Sequence, residues 1–247
     1  MKISIVSKDP RYLLVKELLS QKGFNAQILL PDEVENCDVV LLPVRKELDA
    51  FELKQLLSGI DKETVVLCGN DERVGSLFNG KIINYANFDD FVEANACLTA
   101  EATVSFLHGV TKDSVRGKRI FVSGYGRIGR VLSKILKALG STVYAYARRD
   151  EVKEQMHIDG VISASMDNCI DCDIIINTVP SPIYSQDLID KIPINTTIVE
   201  LASSPYGFTS LERVIIAAGL PGKVLPKRAA IIVFDTIYNI LSKAEKE

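Results

Sequence analysis

The chain has 247 residues, 47% hydrophobic and 25% charged, with a formal net charge of −3. That length allows two domains of ordinary size, and the composition supports a buried core and excludes disorder. No basic excess exists to neutralise phosphates, and no apolar run approaches the ~20 residues of a membrane span, so neither nucleic-acid nor membrane binding is expected. The sequence opens on a strand pattern at Lys2 with no secretory leader pattern, so a cytoplasmic location is expected.

Strand-like and helical runs alternate from the start. Lys2–Val6 is β-branched; Asp9-Pro10 offers an N-cap followed by proline at the first helical position. Leu14, Val15, Leu18 and Leu19 repeat at helical spacing, and Gly23 closes that segment as a C-cap. Further strands are expected at Ala26–Leu30, Val39–Pro43, Thr64–Gly69 and Lys81–Asn84, with a helix around Ala50–Leu57. Asn87 to about Lys112, free of proline, is expected to form one long bridging helix. After Gly117-Lys118 the strand pattern resumes at Arg119–Ser123, Thr142–Ala147, Val161–Ser163, Asp173–Asn177, Thr196–Leu201 and Val214–Ala217. Ile231, Phe234, Ile237, Tyr238 and Leu241 mark an amphipathic helix from about Lys227 to Lys243 that packs back on the earlier part of the chain.

The expected fold is therefore α/β, with two parallel-sheet domains. The first, residues 1–94, is flavodoxin-like or Rossmann-like; residues 95–116 form the bridging helix. A nucleotide-binding Rossmann domain occupies 117–226, and the helix of 227–247 returns. Cys169 and Cys172 form a Cys-x-x-Cys pair. The two histidines, His108 and His157, supply no second ligand pair, so no metal site is expected and the thiols read as ordinary ones.

Gly124-Tyr125-Gly126-Arg127-Ile128-Gly129 follows a strand and opens an amphipathic helix. In that context each glycine has a task. Gly124 permits the tight turn, Gly126 lets backbone approach a pyrophosphate, and Gly129 lets helix pack closely on strand. The anion then sits on the N–H groups of a helix N-terminus. An NAD-selective site places Asp or Glu at the end of the next strand, roughly 20 residues on. Here that strand ends in Arg148-Arg149, whose guanidinium groups suit a 2′-phosphate, so NADP is the expected cofactor. A solvated arginine pair is the alternative, and Asp150 argues for NAD. Asn177-Thr178-Val179-Pro180 and Ser203-Ser204-Pro205 follow later strands at their carboxyl ends, where α/β ligands bind, as cofactor contacts or as scaffolding.

From Ile82 to Ala230 the sequence resembles the A-type subunits of dipicolinate synthase, a sporulation enzyme. The resemblance is carried by Asn84-Tyr85, Asp90-Phe91, Asn95-Ala96, Thr99-Ala100-Glu101, the glycine turn, Ala147-Arg148 and Asn177-Thr178-Val179-Pro180. It continues through Leu201-Ala202-Ser203, Gly219-Leu220-Pro221-Gly222-Lys223-Val224 and Pro226-Lys227. Over residues 1–80 only Asp9 and Arg11 echo an Asp-x-Arg turn.

The resemblance implies NADP-linked oxidation of a dihydrodipicolinate-type dicarboxylate, a partner B-type subunit of dipicolinate synthase, and a homodimer. It places Glu101 as candidate base, or as a group that positions its helix. Lys223, Lys227 and Arg228 become candidates for the substrate carboxylates, or a basic surface; Pro221 and Pro226 are expected to hold their segment extended as a substrate-facing loop. His108, seven residues after Glu101 and so on nearly the same helix face, is the other group that could serve as base, although a lone histidine there reads as structural. The chain departs from the family at Ala102, at Tyr206 and at Arg228-Ala229-Ala230, and 201–214 leaves no room for a crossover helix. A non-catalytic NADP(H)-binding module is the alternative from another class. D-2-hydroxyacid dehydrogenases share the layout, but their histidine near the end of the cofactor domain has no counterpart, since no His follows His157; the Lys–Asp signature of shikimate dehydrogenases is not evident.

Overall fold

The computed structural model describes residues 1–244. The first half runs β1 (Lys2–Ile5), α1 (Arg11–Gln21), β2 (Asn25–Ile28), β3 (Val39–Leu41), α2 (Ala50–Gly59), β4 (Val65–Cys68), α3 (Arg73–Leu77) and β5 (Ile82–Asn84). The long helix α4 (Asp89–Thr111) follows. Then come β6 (Arg119–Ser123), α5 (Arg127–Ala138), β7 (Thr142–Tyr146), α6 (Asp150–Asp159), β8 (Ile162–Ser163) and β9 (Ile174–Asn177). The rest is α7 (Gln186–Ile189), β10 (Thr197–Glu200), β11 (Val214–Ile216), α8 (Leu220–Val224) and α9 (Pro226–Ala244). One compact unit comprises Met1–Asn95 with the segment from Pro226 on; the other is Ala96–Leu225. The division falls inside α4 and again between α8 and α9.

The first unit holds a five-stranded parallel sheet in the order β2-β1-β3-β4-β5, the flavodoxin-like winding. Its middle strands are apolar on both faces: Val39, Val40 and Leu41 are all buried. α9 packs against α1; near the end of α1, the Phe24 and Tyr238 rings meet edge to face at 6.3 Å and the Lys22 ammonium lies 5.3 Å from the Tyr238 ring.

Helix α1 begins one residue later than the sequence signals, with Pro10 rather than Asp9 at the N-cap and Arg11 as the first helical residue. The Asp9 carboxylate accepts the Arg11 N–H at 2.9 Å and the Arg11 guanidinium at 2.8 and 2.5 Å. Gly23 ends the segment at φ +90, where other residues are strained. The same Asp-x-Arg device recurs after β4, at Asp71-Glu72-Arg73. Asp71 accepts the Arg73 N–H at 3.2 Å and its guanidinium at 2.8 and 2.7 Å.

The second unit holds six parallel strands in the order β11-β10-β9-β6-β7-β8. Counted within the unit this is 6-5-4-1-2-3, the doubly wound Rossmann order, whose crevice opens beyond β6 and β9. Alternate residues of β6 feed two cores. Ile120 and Val122 pack with Leu132 and Leu136 of α5. Phe121 faces the other way, with Ile175, Ile198 and Tyr184. β10 and β11 pair in parallel although no helix joins them, as the short 201–213 connection requires.

The segment around Lys223 is not extended. Gly219 turns the chain at φ +74, α8 starts with Pro221 in its first turn, and Pro226 opens α9. Proline in a first helical turn lacks only an N–H that would have no partner there, so both prolines start helices. Among the described residues no helix is long and apolar enough to cross a membrane.

Cys37, Cys68, Cys169 and Cys172 are buried and Cys97 is exposed. Burial pushes the Cys169 thiol up to about 12 and the Cys172 thiol up to about 11, and thiolates are the reactive form. Native protein treated with a thiol reagent is expected to label Cys97 alone, and all five cysteines after denaturation; rapid native labelling of Cys169 would overturn this burial.

Three aspartates couple stability to acid. Burial alone raises the Asp9 carboxyl, but the Arg11 bonds outweigh it and hold it low. Arg73 lowers Asp71, and in the second unit Arg130 lowers Asp159. Folded values below the unfolded ~3.9 mean that their contribution is complete above about pH 5. It is lost as pH falls through the folded values. Urea midpoints are expected to fall from pH 5 to pH 3 and to fall less in Asp9→Asn.

Candidate functional site

The glycine turn joins β6 to α5. Gly124 sits at φ +90, and a Cβ there would meet Thr178 Oγ1 at 2.5 Å and Val179 Cγ2 at 2.8 Å. A Cβ on the buried Gly129 would collide with the Gly124 carbonyl oxygen. Gly126 is different: it is exposed, and its Cβ direction is open, with no atom within 4 Å. It is the N-cap of α5, and no side chain caps that end. A twelve-residue helix thus presents its N-terminus beside a glycine that leaves room for an approaching anion.

The turn is held from two sides. The Thr178 hydroxyl donates to the Ser123 carbonyl at 2.9 Å and approaches that of Gly124 at 3.4 Å. Tyr125 packs into the core against α5 and its hydroxyl donates to Asp159 at 3.0 Å, while Arg130 Nε donates to the same oxygen at 2.8 Å. The Tyr125 side chain therefore does not face a ligand, contrary to its place among the expected cofactor contacts. Asp159, which no sequence motif marks, anchors the turn from the end of α6.

Asn177 needs the same correction. It is fully buried, and its amide is consumed internally. Oδ1 accepts from Ser123 Oγ at 2.8 Å and the Val179 N–H at 3.1 Å; Nδ2 donates to the Val179 carbonyl at 2.9 Å and to Glu200 at 2.7 and 2.9 Å. Thr178 and Val179 are half-buried, whereas Pro180 and Ser203 are exposed beyond the strand ends. Glu200 is fully buried at the end of β10. Nothing in Thr197-Ile198-Val199-Glu200-Leu201 marks a strand-end glutamate that turns inward.

Arg148 lies past the end of β7 in the wall of a cavity of about 540 Å³ that also touches Lys153, Ser163, Ser165 and Asn168. Tyr146, Ala147 and Ala164 add apolar surface, and Arg148 and Lys153 are its two cations. Asp150, the one nearby acid that argued for NAD, accepts from Lys153 Nζ at 2.8 Å. Arg149 is exposed at the N-cap of α6, and Arg127 and half-buried Ile128 open α5. Glu101 and His108 are exposed on α4, Lys223 is exposed on α8, and Lys227 and Arg228 are exposed at the start of α9. Among the described residues no group of three or more His, Cys, Asp or Glu is placed to hold a metal ion.

The residues fit a nicotinamide dinucleotide: an uncapped helix end, an open glycine, and arginine where the adenosine ribose is expected. Residues 86–197 match the family described as D-isomer specific 2-hydroxyacid dehydrogenase, NAD binding domain. The A subunit of dipicolinate synthase from Bacillus subtilis (strain 168) is 29% identical over 186 residues, which is 71% of this chain and 63% of that protein. In sequence the chain is similar to dipicolinate synthase A subunits.

Two solved structures carry the same fold. The dipicolinate synthase A chain from Bacillus subtilis superposes with a TM-score of 0.82 at 23% identity, covering 100% of this chain and 97% of that one. The corresponding dipicolinate synthase chain from Bacillus halodurans gives 0.84 at 22% identity, with 97% of each chain covered. In sequence, the match spans just under two thirds of the curated relative's length, at 63%.

Proposed function

We propose that the chain is a cytoplasmic, NADP-linked oxidoreductase that oxidises a dihydrodipicolinate-type dicarboxylate to dipicolinate during sporulation, as a homodimer working with the B-type subunit of dipicolinate synthase. The observation that carries the cofactor choice is Arg148 in a cationic cavity at the end of β7, with Asp150 engaged by Lys153. When bound, NADP⁺ supplies a hydride acceptor at nicotinamide C4. Aromatisation of the dihydro ring releases that hydride and one proton, and Glu101 is the group proposed to take the proton. Lys223 and Lys227 are proposed to meet the two carboxylates, with Glu101 exposed on α4 and the lysines exposed on α8 and α9. Glu101→Gln is then expected to lower kcat, and Lys223→Ala to raise KM.

The deciding experiment is turnover of dihydrodipicolinate with NADP⁺, followed by ultraviolet absorption of dipicolinate and by NADPH formation. Turnover by the chain alone or with the B-type partner supports the proposal. Tight NADPH binding without turnover under either condition favours the second reading, a non-catalytic NADP(H)-binding module. That reading is motivated by the departures at Ala102, Tyr206 and Arg228-Ala229-Ala230.

A further inference from the structure

Ser123, Asn177 and Glu200 stand in register across the carboxyl ends of β6, β9 and β10, and none is exposed. The Glu200 carboxylate sits at the end of this row and gathers donors from two loops. Oε1 accepts from Asn177 Nδ2 at 2.7 Å and the Ala202 N–H at 2.8 Å. Oε2 accepts from Asn177 Nδ2 at 2.9 Å and the Gly207 N–H at 2.8 Å. Burial pushes this carboxyl up from its ordinary value, and these donors pull it back.

The row continues outward. Asn177 clamps both polar groups of the Val179 backbone. The Tyr184 hydroxyl donates to Ser123 Oγ at 2.9 Å, and the Tyr184 ring stacks on Phe208 at 4.1 Å. Gly207 is pressed so close that an added Cβ would collide with the Asn177 amide.

A buried carboxylate is a costly way to hold a sheet together, because apolar residues fill such a position at no desolvation cost. Two of its partners are backbone N–H groups in the loop after β10, and Asn177 ties it to the loop after β9. In a doubly wound domain β6–β8 form one mononucleotide half, which here carries the glycine turn, and β9–β11 form the other. The two loops that Glu200 fixes therefore belong to the half that faces the nicotinamide end of a dinucleotide.

We propose that Glu200 is a positioning residue for the nicotinamide half of the site, setting the 179–180 and 202–207 loops, with a smaller effect on the glycine turn, which Thr178 reaches through the Ser123 carbonyl. The assignment rests on the dinucleotide reading above, and the test separates the two. NADPH and NADH are titrated into the full chain and into Glu200→Gln, alongside 2′,5′-ADP and ADP, which carry the adenosine end alone. Glu200→Gln places an amide donor among N–H donors. It is expected to weaken NADPH and NADH about tenfold or more while changing 2′,5′-ADP and ADP less than about twofold.

Amide hydrogen exchange gives a second readout. Ala202 and Gly207 are expected to exchange about tenfold faster in the variant, with the β6 amides unchanged. If Glu200→Gln does not fold, Tyr184→Phe removes only the outer hydroxyl link, and a split of about threefold in the same direction is expected. Equal weakening of both ligand kinds, or of neither, by the folded variant overturns the role of Glu200. Wild-type chain that binds none of the four ligands overturns the dinucleotide reading, and the Glu200 assignment with it.

Discussion

Gly126→Ala is expected to leave stability within about 1 kcal/mol of wild type while abolishing most cofactor binding, whereas Gly129→Ala is expected to lose about 1–3 kcal/mol of stability as well. The two glycines lie three residues apart in one turn and differ in what surrounds them. At Gly126 an added methyl points into open space, and the exchange costs only the modest preference of an N-cap for glycine over alanine. That open space is where backbone must approach the pyrophosphate. At Gly129 the methyl meets the Gly124 carbonyl oxygen, with Thr178 Oγ1 at 3.2 Å beside it. Backbone cannot rotate away as a flexible side chain does, so α5 must lift from β6. Urea unfolding with fluorescence titration of NADPH checks both. Equal destabilisation by the two substitutions would show that the turn is structural and makes no room for a ligand.

The second large effect concerns cofactor choice. Arg148→Glu is expected to weaken NADPH about 100-fold or more and NADH only a few-fold. A charge-assisted hydrogen bond contributes about 1.5–3 kcal/mol, and each ~1.4 kcal/mol is a factor of ten. A carboxylate there both removes the guanidinium and repels the 2′-phosphate, while offering the 2′-hydroxyl an acceptor. Asp150 lies two residues on, exposed and paired with Lys153 at 2.8 Å, and Asp150→Asn is the matching control for NADH. Equal losses for the two cofactors would refute a 2′-phosphate role for Arg148.

Much of this fold is legible in the sequence because its signals are local. β-branched runs mark the strands of the described residues to within a few positions, and Gly23 and the glycine turn punctuate the chain by positive φ or close approach. What escapes depends on partners distant in sequence. Glu200 reads as an ordinary polar end to a strand; its burial follows from Asn177 on the neighbouring strand and Gly207 seven residues later. Asn177 and Tyr125 belong to motifs that suggest ligand contact, yet tertiary partners turn both inward. Pro221 and Pro226 suggest an extended segment, but their positions in first turns make them helix starters.

The order of assembly during synthesis follows from how the first unit is composed. Its sheet and α1 are made before residue 95, but α9, which packs on α1, is made only after the whole of Ala96–Leu225. A growing chain therefore carries an incomplete first unit, with the α1 surface uncovered, while the second unit already has every strand it needs. Domains commonly fold in the order in which they emerge. Here the unit that begins the chain is also the last to be completed, when Pro226–Ala244 emerges to cover α1.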